Sequence, residues 1–132
     1  MTTADVPRRQ ARERALEVLY EAALKGRSVP EVIAEHPLPL DPYAERLARS
    51  ADEQRSDLEA RVASVLEGWT LERLAVIDRL VLVLALAELS WPDAPPRAVV
   101  LNEAVELVRT YSTDASPSFV NGVLVGCLAA GG

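Results

Sequence analysis

The hydrophobic pattern of this chain has one dense centre. Within WTLERLAVIDRLVLVLALAELS (69–90), residues Leu80 to Ala87 form eight successive apolar positions. A stretch that is apolar on every side must be covered on every side. Eight residues are too few for a bilayer, which needs about 20. LVLVL also suits a buried strand, but the apolar pattern runs from Leu74 to Leu89 and is rich in helix-forming leucine and alanine. A short turn at 71–74 and a central buried helix at about 76–90 are therefore predicted, with Pro92 as the stop.

The flanking segments alternate between helical stripes and breakers. Residues 1–7 read as a flexible arm. From Arg8 to Lys25 apolar positions at Ala11, Ala15, Val18, Leu19, Ala22 and Ala23 mark one helical face, and Lys25-Gly26 closes it. Ser28 to Glu31 has capping-box spacing for a short helix to about Glu35. The three prolines of 36–42 demand a loop. Asp41-Pro42 then opens a long helix, 42–67, with a stripe at Tyr43, Leu47, Ala51, Leu58, Val62, Val65 and Leu66. A second box at Ser56–Glu59 suggests an irregularity near 52–56, and Gly68 ends the helix. After the connection at 91–96, a helix at 97–111 turns Val100, Leu101, Ala104, Val105 and Val108 inward. Ser116-Pro117 supplies an N-cap and first-turn proline for a last helix to about Leu128. Gly122 and Gly126 on one face of it cost about 1 kcal/mol each, which suits a close approach of another backbone. No segment alternates as a strand does. The class is all-α with six to seven helices, in one domain spanning 8–130.

Composition changes this picture little. The 132 residues are 49% hydrophobic and only 5% aromatic, so aliphatic side chains must build the core. A single cysteine, Cys127, allows no internal disulfide and reads as a packed thiol; with no apolar leader segment at 1–14, this suits the cytoplasm. Charge changes the picture more. The formal net charge is −6, which disfavours unselective nucleic-acid binding. Yet Arg8, Arg9, Arg12 and Arg14 crowd one helix start against a single acid, Glu13. Such a cluster is ordinarily a solvated face, and it opposes the positive end of the helix dipole. A phosphate backbone would relieve that opposition.

Other candidates divide between structure and contact. Trp69, Tyr111 and Phe119 sit at helix boundaries, where they could stack on unpaired bases or simply lid the core. For Phe119 the two readings balance; for Trp69 the lid is favoured. Asn102 and Asn121 suit buried amides at helix junctions; Asn121, beside Phe119, could instead reach RNA, with the structural reading favoured. Asp78 suits either a helix-start acid or an exposed acid for a basic partner. His36 is expected to be solvated. No glycine-rich phosphate loop or HExxH is present, and one His and one Cys make metal cages and a Cys–His pair improbable. Neither catalysis nor a cofactor or metal is expected.

Three segments carry a resemblance: RRQARERALEVLY (8–20), WTLERLAVIDRLVLVLALAEL (69–89) and NEAVELVRTYSTDASPSFVNGVL (102–124). In order and spacing they resemble the transcription antitermination factor NusB family over about residues 8–126. The resemblance implies two small helical bundles packed across each other and a non-enzymatic role. It implies pairing with a small-subunit ribosomal protein, NusE, on boxA-type single-stranded RNA of nascent ribosomal transcripts, as part of an RNA polymerase antitermination complex. Some members self-associate, so the resemblance also admits a homodimer; it implies no membrane partner. The family's RNA contacts map to Arg8, Arg9, Arg12, Trp69, Tyr111, Ser112 and Phe119. Its ribosomal-protein face maps to Tyr20, Asp78, Asp114 and Ala115. The chain departs from the family pattern at Val83, Ala87 and Val125. The alternative is a NusB-like protein–protein module that has lost RNA.

Overall fold

A computed structural model describes residues 7–131, with backbone alone at Gly131; the expected arm at 1–7 lies outside these apart from Pro7. The elements are α1 (Arg8–Lys25), α2 (Val29–Ala34), α3 (Pro42–Glu53), α4 (Arg55–Val65), a 3-10 turn (Leu71–Arg73), α5 (Val76–Leu89), α6 (Arg97–Tyr111) and α7 (Ser116–Gly131). The described residues are thus all-α, as expected. No helix among them is long and apolar enough to cross a membrane.

Helix α5 is the hub. Residues Leu80 to Glu88 are all buried, and α5 packs against α1, α3, α4, α6 and α7. On one side α1, α2 and α3 pack together; on the other α6 packs on α7, and α7 on α4. Two small bundles therefore share α5, which explains why its apolar residues encircle it. The core is aliphatic, with Trp91 its one buried aromatic ring.

Local chemistry sets the ends. Gly26 takes a left-handed φ of 63° and closes α1 by donating its N–H to Ala22 O. Ser28 and Glu31 form the expected capping box. The Asp41 carboxylate accepts from the N–H groups of Tyr43 (3.0 Å) and Ala44 (3.2 Å), fixing the start of α3.

Five expectations need correction. The irregularity expected near 52–56 is present, but it is a full break: the helix expected at 42–67 is two, separated at Gln54, where φ is −99° and ψ is 7°. Helix α3 belongs with α1, and α4 with α7, so the chain must bend where it passes between bundles. The box at Ser56–Glu59 is unused, and α4 starts at Arg55 without a side-chain cap. Helix α4 also stops at Val65, so Gly68, with φ 74°, turns the following loop instead. Ser116 is the first helical residue of α7 and not its cap. Finally, no backbone is among the nearest neighbours of Gly122 or Gly126. A Cβ on Gly122 would meet nothing within 4 Å, and one on Gly126 would touch only the Val65 side chain at 3.6 Å.

Candidate nucleic-acid interface

The arginines at the start of α1 separate by helical phase. Arg12 lies three, four and seven residues before Ala15, Leu16 and Leu19, so it shares their inward face. It is buried at 4% exposure. Its Nε and Nη2 donate to Glu88 Oε1 (2.8 Å) and Oε2 (2.7 Å). The Tyr43 hydroxyl donates to the same carboxylate. Burial opposes the charge on Arg12, but the bonds to Glu88 and its charge outweigh that and hold the guanidinium pKa above its ordinary value. Burial first, and then Glu88, push the Tyr43 phenol well above its usual range. Arg12 is therefore an internal ion-pair partner, correcting the expectation that it contacts RNA.

Arg9 is exposed but also engaged. Its Nε and Nη2 donate to Glu103 on α6 at 3.0 and 2.8 Å. That bond raises the Arg9 pKa and lowers the Glu103 pKa. Arg14 lies 3.6 Å from Glu17. Arg8 differs from all three. Its guanidinium stacks over the Tyr43 ring, 4.0 Å from the centroid, and among the described residues it has no carboxylate partner.

The aromatic candidates gather at the far end of α6. Trp69, Arg73, Leu74, Asp78, Ala115 and Phe119 line one cleft of about 250 Å³. Trp69 is half-exposed at 51%, with the Arg73 guanidinium 5.3 Å from its ring centroid. That exposure corrects the reading of Trp69 as a core lid. Phe119 is half-buried against the core. Tyr111 is exposed, and its hydroxyl donates to Glu13 at 3.3 Å, joining α6 to α1.

Of the two readings of Asp78, the structure bears out the helix-start acid, in the first turn of α5, and corrects the exposed one. Asp78 is 6% exposed, and its carboxylate accepts from Ser112 Oγ (2.7 Å) and Ser116 Oγ (2.9 Å). Ser116 Oγ in turn accepts from the Thr113 N–H at 3.2 Å. Asp78 thus ties the α6–α7 turn to the start of α5 and is not an exposed acid facing a partner. Ser112 spends its hydroxyl on this junction too. Asp114 and Ala115 are exposed on the same turn. Tyr20, 39% exposed, lies twelve residues along α1 from Arg8, about 18 Å at helical rise. Asn102 and Asn121 are exposed, contrary to the buried-amide reading.

The structure thus unites Trp69, Phe119, Asp78 and Ala115, which the family mapping divides between RNA and protein. Arg8 and Arg9 do not line that cleft; Arg9 lines a separate one with Glu13 and Glu103. Tyr43, Glu88 and Glu103 were missed as site residues. The inward phase of Arg12 was the available signal, since a buried arginine requires a buried carboxylate.

Comparison with known proteins settles the family. The NusB family model matches residues 9–128. The chain belongs to the NusB family. A transcription antitermination protein NusB from Thermobifida fusca is 42% identical over 121 residues, covering 89% of this chain and 85% of that protein. One from Salinispora tropica is 44% identical over 124 residues, covering 89% and 91%. Among solved structures, T. maritima NusB matches with a TM-score of 0.84 at 30% identity, covering 94% of this chain and 92% of its own. A chain in the crystal structure of antitermination factors NusB and NusE in complex with dsRNA matches with a TM-score of 0.79 at 28% identity, covering 93% and 96%.

Proposed function

We propose that this NusB-family chain is an RNA-binding transcription antitermination factor that pairs with the small-subunit ribosomal protein NusE on boxA-type RNA of nascent ribosomal transcripts. The observation that carries this reading is the likeness, over nearly the whole of both chains, to a chain in the structure of NusB and NusE in complex with dsRNA. The charge distribution supports it. A chain of net charge −6 has little unspecific attraction for phosphate, so contact is confined to where cations are available. Arg8 is such a place. Half-exposed Trp69 and exposed Tyr111 are suited to stack on unpaired bases. Tyr20, Asp114 and Ala115 remain exposed for the ribosomal protein, with Asp78 shaping the turn behind them.

Because three of the four arginines at the start of α1 face carboxylates of their own chain, the RNA affinity of this chain alone is weak, and NusE must supply further contacts. A titration of boxA-type RNA by gel shift, with and without NusE at two salt concentrations, tests this. Binding that strengthens with NusE and weakens with salt is expected. One observation favours a second reading, a protein–protein module that has lost RNA: Arg9, Arg12 and Arg14 all face carboxylates of their own chain. That reading requires no shift of RNA under any of the four conditions.

A further inference from the structure

We propose that Tyr43 is a positioning residue of the RNA site, holding the Arg8 guanidinium in place to meet a phosphodiester of the RNA backbone. The proposal rests on the RNA reading above and adds a residue from α3 to it. A guanidinium chelated by a carboxylate has its charge offset and its donors occupied, as in Arg9 with Glu103. A guanidinium on a ring face keeps its charge, and its N–H donors lie at the rim, free for a phosphate. An arginine on a solvated helix end samples many rotamers. A ring beneath it selects among them before RNA arrives, which lowers the ordering cost of binding.

Tyr43 suits this role because it is itself held on every side. Its backbone N–H donates to the capping carboxylate of Asp41 at 3.0 Å. Its hydroxyl donates to Glu88, which Arg12 chelates from the other side. Its ring meets Trp91 edge-on, with centroids 5.3 Å apart and planes at 75°. Trp91 is anchored by its indole N–H donating to Ser50 Oγ at 3.1 Å. The arginine motif thereby divides its labour. Arg12 faces inward and fixes Glu88; Glu88 fixes Tyr43; Tyr43 presents Arg8.

The test titrates full-length chain plus NusE against a boxA-type RNA oligonucleotide, for the wild type, Arg8→Ala, Tyr43→Leu, Tyr43→Phe and the Arg8→Ala/Tyr43→Leu double variant. Tyr43→Leu is expected to raise Kd about two- to fivefold, the span of an exposed cation–π contact. Tyr43→Phe, which keeps the ring face, recovers most of that loss. The double variant binds no more weakly than Arg8→Ala. Equal weakening by Tyr43→Leu in both backgrounds, or none in the wild-type background, overturns the positioning role while leaving the RNA reading intact. An Arg8→Ala variant that binds like wild type overturns the N-terminal RNA contact and the positioning role with it. A second measurement needs no variant. The Arg8 side-chain protons should resonate upfield of their random-coil positions under the Tyr43 ring current, and their absence from that field overturns the stacking on which the proposal stands.

Discussion

Glu88→Ala isolates the strongest electrostatic commitment in the core. Glu88 is 1% exposed and Arg12 4%, and the pair is joined by two bonds of 2.8 and 2.7 Å, with the Tyr43 hydroxyl as a third donor. Truncating the acid leaves a guanidinium buried with Glu103, 3.8 Å away, as its nearest remaining carboxylate. Removing one partner of a buried pair costs about 3–5 kcal/mol, because the remaining charge stays desolvated. At this chain length each kcal/mol moves the midpoint of thermal unfolding by roughly 3–5 °C, so a fall of roughly 10–20 °C is expected by circular dichroism. The control is Arg12→Met/Tyr43→Phe/Glu88→Leu, which removes every polar member together. Replacing a buried ion pair with apolar groups of similar volume is often close to neutral, so the triple variant should melt far nearer the wild type. If Glu88→Ala melts within about 3 °C of wild type, Arg12, Tyr43 and Glu88 are not a buried, mutually dependent unit.

Other consequences concern different parts of the molecule. Asp78→Ala leaves the Ser112 and Ser116 hydroxyls without their acceptor and should cost about 1.5–3 kcal/mol, the range for bonds to a charged group; denaturant unfolding reads it, and an unchanged midpoint would count against the junction. Glu103→Gln releases Arg9 from its carboxylate and should steepen the salt dependence of RNA binding by roughly 0.7, one further single-strand phosphate contact. The same variant should flatten the acid side of the stability profile. Arg9 holds the Glu103 pKa low, so its contribution is present above the usual glutamate pKa of about 4.3 and is lost as pH falls through the lowered value. Cys127 is 2% exposed and burial raises its thiol pKa, so Ellman's reagent should label it only as fast as the chain unfolds; rapid labelling of native protein would show α7 packed otherwise.

Much of the fold was legible because period and punctuation agreed. The Leu80–Ala87 run, the Ser28–Glu31 box, Asp41-Pro42 and Lys25-Gly26 each named an element or its end. What failed were choices that local sequence leaves open. The Ser56–Glu59 box marked an irregularity near Gln54 but did not make it a break; the full break comes from two bundles claiming the two halves, which is a tertiary demand. The Ser116 hydroxyl could cap its own helix, yet Asp78, thirty-eight residues earlier, offers a charged acceptor. The site was legible only as residue types. Four arginines in seven residues suggest phosphate contact, but whether each faces water, a carboxylate or a ring depends on partners on α3, α5 and α6. For Arg12 the helical phase already pointed inward. For Arg8 and Arg9 no local signal distinguished a ring from Glu103.

The most direct measurement is the slope of log Kd against log salt for boxA-type RNA with NusE, comparing wild type and Arg8→Ala. A guanidinium without a carboxylate partner among the described residues should account for one phosphate contact, so the slope should shrink by roughly 0.7 in the variant. An identical slope in both proteins would contradict the claim that RNA meets this chain at Arg8.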